Sequence, residues 1–201
     1  MVLSIVELFI LIEMAIICAL LMTLKNKFFH YFAFISCIVL LFIFTFIKNP
    51  FVYNYSMYSD NIKGHICLII LCLLLGINLA ETTYLFDKKK AIVAFIAPLI
   101  GSLFPYRANS GDIFSNMHEI CAYISFFLTM YITLMNIEKY KIYNFKKAIL
   151  IRNIFIFIFL FDGMIYLYFL GVKAIEEFIL LLPIILIHNY FYSDLIKQKS
   201  V

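Results

Sequence analysis

Long apolar runs, separated by short basic or turn-forming stretches, set the pattern of this chain. Seven runs stand out, at about 2–23, 28–48, 65–86, 91–105, 117–137, 148–170 and 176–195. None shows the strict alternation of a half-buried strand, so each predicts a helix. A hydrocarbon core about 30 Å thick is crossed by roughly 20 mostly apolar helical residues. The expected fold is therefore all-α: seven transmembrane helices forming a single domain over residues 1–201. The run at 91–105 is short and holds Pro98 and Gly101, which makes its path the least regular. The run at 2–23 has neither a basic leader nor a small-residue cleavage site, so it is expected to remain as a helix.

Composition sharpens the reading. Of 201 residues, 65% are hydrophobic and only 14% charged, with a mean hydropathy of +1.02. A soluble domain carries about a quarter charged residues. This chain has too little polar surface to face water on all sides, and its expected surroundings and partner are membrane lipid.

The net charge of +4 is distributed unevenly. Lys88, Lys89 and Lys90, then Lys139, Lys141, Lys146 and Lys147, fall in alternate connections, with Lys25, Lys27, Lys197 and Lys199 on the same side. The other connections hold Lys48, Lys63, Arg107 and Lys173. Cytoplasmic loops are enriched in Lys and Arg. The pattern predicts a multi-pass cell-membrane protein with its N-terminus outside and its C-terminus in the cytoplasm. Read this way, the basic charge orients the chain and does not form a nucleic-acid surface.

Motifs of soluble chemistry are missing. The five cysteines form no C-x-x-C pair and lie within apolar runs. No two histidines share a helix at the spacing of a metal site, so no metal or other cofactor is expected. Neither a phosphate-binding glycine loop nor a nucleophile elbow is present.

Ionisable groups inside apolar runs carry the functional signal, because lipid makes them costly. They are Glu7, Glu13, Glu81, His118, Glu119, Arg152, Asp162 and His188. On run 117–137, His118, Ser125, Thr129 and Asn136 recur at helical intervals and share one face. That face either ties helices together through hydrogen bonds or lines a substrate path. Arg152 falls within reach of Glu81 or His188 as a structural ion-pair cluster. Cys67, Asn78 and Thr82 lie near one face of run 65–86, with Glu81 beside them. His65 points away from Cys67, since residues two apart diverge on a helix. Any base for the Cys67 thiol therefore comes from another helix, and His118 is at the matching end.

In "GHICLIIL", "IAPLIGSLFP" and "DIFSNMHEICAYISF" the order of features resembles the YwaF-like seven-helix integral membrane family. The resemblance covers about 65–135, with His65 and Cys67, the loop proline Pro105, and His118 at matching places. The proline expected before the histidine–cysteine phrase is replaced by "NIKG", and "DGMIYLYF" matches the later asparagine–tyrosine phrase only loosely. Animal relatives of that family remodel phospholipids by acyl transfer. The resemblance thus implies an intramembrane acyltransferase acting on phospholipid or lysolipid. Cys67 would carry the acyl group as a thioester and His118 would move the proton. Ser125, Thr129, Asp162 and Glu81 would receive the substrate.

Two other classes stay open. One is a small proton-coupled transporter centred on Glu13 and Asp162. The other is a non-catalytic membrane partner such as a sensor, an immunity protein or an assembly subunit.

Overall fold

The structure, a computed structural model, describes residues 27–60, 62–104, 113–169 and 173–199. Among these, six α-helices and one 3-10 turn are found: α1 (Lys27–Phe46), the turn (Tyr55–Asp60), α2 (Ile62–Phe86), α3 (Lys88–Ile100), α4 (Ile113–Tyr140), α5 (Phe145–Phe169) and α6 (Ala174–Lys199). Every helix but α3 is long and apolar enough to cross a membrane, five in all. Their outer faces carry large apolar side chains such as Phe32, Val39, Phe127, Phe157, Leu160 and Leu167. These features point to a membrane protein.

The expected count of seven spans is not reproduced. The run at 2–23, with Glu7 and Glu13, lies outside the described residues, as do Pro105, Arg107 and Asp112. The run at 91–105 forms α3, which has 13 residues. At 1.5 Å per residue that is about 20 Å, too short to cross about 30 Å of hydrocarbon. Its ends are set by side-chain chemistry. Asp87 caps the start, accepting from the Lys89 and Lys90 amides at 3.1 and 3.3 Å. Pro98 cannot donate to the helix ladder, and Gly101 caps the end soon after. Helices α2, α4, α5 and α6 extend past their apolar runs by up to about a turn at one or both ends, because polar residues at helix ends still form helix.

Helix α2 is the hub, in contact with α1, α3, α4 and α6, while α5 sits at the edge against α4 and α6. In the most apolar stretch of α2, 72% of residues are buried, against 17% in α5. A close approach between α2 and α3 depends on Gly76. A Cβ there would lie 2.5 Å from the Phe95 carbonyl oxygen, so α3 reaches α2 only because the side chain is missing. Leu41, Leu71, Leu75, Leu79, Ile137, Ile185 and Phe191 fill the apolar centre.

Both ends of the bundle are tied. At the lysine-rich end, Lys139 Nζ is 2.8 Å from Asp87 Oδ2, Glu138 pairs with Lys141 and Arg152, and Tyr140 donates to Asp194 at 2.5 Å. At the opposite end, the first amides of α6 are satisfied by the loop before the 3-10 turn. Ala174 N donates to the Tyr53 carbonyl at 2.6 Å and Ile175 N to that of Pro50 at 3.1 Å.

Candidate functional site

Two polar centres lie within this apolar bundle. The first is toward the lysine-rich end, where α1, α2, α4 and α6 meet. His30 on α1 is fully buried, and its Nδ1 lies 2.6 Å from Glu81 Oε2 on α2. Its Nε2 faces Asn189 Oδ1 on α6 at 3.3 Å, and its ring stacks on Tyr192 with centroids 3.6 Å apart. A carboxylate and an amide oxygen both accept, so the ring donates from both nitrogens as an imidazolium does, or else shares one proton with a protonated carboxyl. Either way the pair shares one proton across the Nδ1–Oε2 contact, in addition to the Nε2–H, and is neutral as a unit.

Beside it, α2, α4 and α6 are tied through small polar groups. Thr82 Oγ1 donates to the Asn78 and His188 carbonyls, each at 3.0 Å. Asn136 Nδ2 donates to Thr83 Oγ1 at 2.8 Å, and Thr133 Oγ1 lies 3.3 Å from His188 Nε2. Asn78, Thr82, Thr83, Thr133, Asn136 and His188 are all fully buried.

The second centre is at the opposite end. His118, buried on α4, has Nδ1 at 2.6 Å from the Phe104 carbonyl and Nε2 at 2.7 Å from Ser56 Oγ of the 3-10 turn. A carbonyl only accepts, so Nδ1 carries the proton and Nε2 of the neutral ring accepts from the Ser56 hydroxyl. Across the bundle, Asp162 on α5 and Glu176 and Glu177 on α6 lie near enough to repel one another. Glu177 Oε2 accepts from the Tyr55 amide and Glu176 Oε2 from the Lys173 amide, both at 2.6 Å. Asp162 Oδ1 and Glu176 Oε1 are buried with no hydrogen-bond partner among the described residues.

Outside the spans, Asp87 joins the lysine-rich end electrostatically. The hydrogen bond from Lys139, helped by the Lys90 amide, holds its carboxyl below the usual carboxylate range.

The expected residues divide as follows. His118, Thr129 and Asn136 are buried and Ser125 half-buried, as the shared helical face requires. Ser125 Oγ donates to the Pro98 carbonyl at 3.3 Å, and the Thr129 carbonyl accepts from Thr133. Glu81 is buried against His30 and Asp162 lies among carboxyls at the other end, so these two belong to different centres. Arg152 pairs with Glu138 at 3.7 Å, not with Glu81 or His188. Cys67 is exposed, whereas the hydroxyl on the His118 ring belongs to Ser56.

Two residues escaped the sequence reading. His30 was readable in principle, because His30, Ala33, Cys37 and Leu41 form one buried face of α1. Its closeness to Lys25 and Lys27 makes it look like a loop residue. Ser56 carries no sequence signal, since its partner is set by a turn between helices. Among the described residues, no group of three His, Cys, Asp or Glu side chains could hold a metal ion. Compared with protein-family models, curated proteins and solved structures, the chain has no match.

Proposed function

We propose that this is a multi-pass cell-membrane transporter that couples the movement of a small solute to protons, with its lysine-rich end in the cytoplasm. The reading is carried by one observation: His30 and Glu81 form a 2.6 Å pair inside an apolar helix bundle. A helix bundle in lipid is held mainly by packing and small hydrogen bonds, and an ionisable histidine–carboxylate pair is costly there. Titratable groups at that depth mark ion or proton paths by default. The unpartnered oxygens of Asp162 and Glu176 add acceptors toward the other end. The lysines at Lys88–Lys90, Lys139, Lys141, Lys146 and Lys147 support the orientation.

The test is proton flux into proteoliposomes containing the full-length protein and a pH-sensitive dye. Flux should fall with Glu81→Gln and with Asp162→Asn, while the variants keep their helical content. Wild-type flux in both variants would remove these carboxyls from the path.

A second reading is favoured by the 2.7 Å contact between His118 and Ser56. It keeps the acyl-transfer chemistry implied by the family resemblance, with His118 as base. Ser56 Oγ would attack a lipid ester carbonyl, passing its proton to His118 Nε2 and thence to the leaving alkoxide oxygen. A second hydroxyl, from lysolipid or water, would then take the acyl group from Ser56. A fluorophosphonate should label Ser56 and lose that label in His118→Gln. A thioester trapped on Cys67 would instead restore the cysteine as nucleophile, and no label on either residue would end this reading.

A further inference from the structure

Hydrogen-bond accounting in the first polar centre leaves acceptors over. Thr133 Oγ1 spends its proton on the Thr129 carbonyl at 2.9 Å, so toward His188 Nε2 it accepts. Nε2 therefore carries the ring proton of a neutral His188, and Nδ1 is a bare lone pair. Among the described residues that buried atom has no hydrogen-bond partner, and the same holds for Asn78 Oδ1 and Asn136 Oδ1. Both amides already direct Nδ2 elsewhere, to the Leu74 carbonyl and to Thr83. All three orphans are acceptors, on three helices that the Thr82–His188 and Asn136–Thr83 contacts hold together. Buried acceptors are ordinarily satisfied, so a mobile donor is wanted here.

Two other imidazoles make the contrast. His30 and His118 each use both ring nitrogens, whereas His188 uses one. Thr133 from α4 meets the His188 ring, and the titratable groups packed on the adjoining stretch of α6 are His30 from α1, stacked on Tyr192, and Glu81 from α2 behind it. His30 reaches the same stretch of α6 as His188, bonded to Asn189 at 3.3 Å and stacked on Tyr192, one and four residues further on.

We propose that His188 Nδ1 is a proton-accepting site, loaded with the proton that His30 and Glu81 hold between them. This rests on the transport reading for its purpose, though not for its chemistry. One N–H bond of His30 breaks and one forms at His188 Nδ1. The pair goes from neutral to singly negative and His188 becomes cationic, with no change in electrons. The two rings exchange one proton and do not both hold one, because like charges this close in an apolar medium repel. Thr133 keeps the Nε2–H in place throughout, so Nδ1 is the ring atom that gains the proton.

The experiment has two arms. In proteoliposomes, His188→Gln keeps an amide donor for Thr133 but offers no titrating atom. It should slow proton flux about 100-fold or more with an unchanged melting temperature. Wild-type flux in His188→Gln overturns the site while leaving the transport reading standing. The second arm is ¹⁵N NMR of histidine-labelled wild-type protein, the His188 signal being assigned by the shift that Thr133→Val produces. On acidification Nδ1 should convert from bare to protonated as the His30 signals change. A Nδ1 that stays bare wherever the protein is folded overturns the site. This arm decides even if wild-type flux is absent, which would sink the transport reading instead, or if His188→Gln fails to fold.

Discussion

His30 Nδ1 and Glu81 Oε2 lie 2.6 Å apart across the interface of α1 and α2, although 51 residues separate them in the chain. Both are shielded from solvent, at 0% and 7% side-chain exposure. Their interaction is therefore screened little by salt or water.

Breaking a buried pair leaves one group unmatched, whereas replacing both partners can be nearly neutral. Glu81→Ala should lower unfolding stability in detergent by about 3–5 kcal/mol. The double variant His30→Leu/Glu81→Leu should lose less than Glu81→Ala does. Additive losses in the double variant would show that the two residues do not act as a unit.

Gly76 and Gly163 are both helical, yet they should respond oppositely to alanine. At Gly76 the new methyl meets the Phe95 carbonyl, a backbone atom that has no rotamer to escape into. The loss should be about 1–3 kcal/mol, as for other overpacked sites. At Gly163 nothing lies within 4 Å, so alanine should be neutral or raise stability by up to about 1 kcal/mol. Melting temperatures of the two variants, compared side by side, check this.

The Asn136–Thr83 hydrogen bond joins α4 to α2 at 2.8 Å. Bonds of this kind between membrane helices average about 0.6 kcal/mol. Thr83→Val should cost about that much, and Thr83→Ser should restore it. A loss of several kcal/mol would mean that Thr83 supports more than this one bond.

Asp87 makes a pH-dependent contribution of known sign. Its folded carboxyl titrates below the ordinary range because Lys139 and the α3 amides favour the charged form. Its stabilisation is complete above the unfolded value, about 3.9, and is lost as pH falls through the lower folded value. The stability gap between wild type and Asp87→Asn should be constant near neutrality and close below about pH 4. High salt should also narrow it, since the Lys139 contact is partly exposed. A gap unchanged on acidification would place the benefit elsewhere than in this charge.

Much of the architecture was readable beforehand, for local reasons. Run length and apolar density forecast five long helices to within about a turn at most ends. The three-to-four-residue rhythm of His118, Ser125, Thr129 and Asn136 forecast the inward face of α4. The fourth run was misjudged as a span because apolar content alone does not count turns: Asp87 and Gly101 bound a helix too short to cross.

The sequence by itself determined which of the described segments are helical, which of their faces are polar, and where the lysines collect, because each follows from residues a few positions apart. Only the tertiary structure decided the partnerships: Glu81 with His30 and not Arg152, His118 with Ser56, and His188 with one nitrogen left over. Such pairings depend on the rotation and axial shift of each helix against its neighbours. Those are set by contacts such as Gly76 against Phe95, which join residues far apart in the chain.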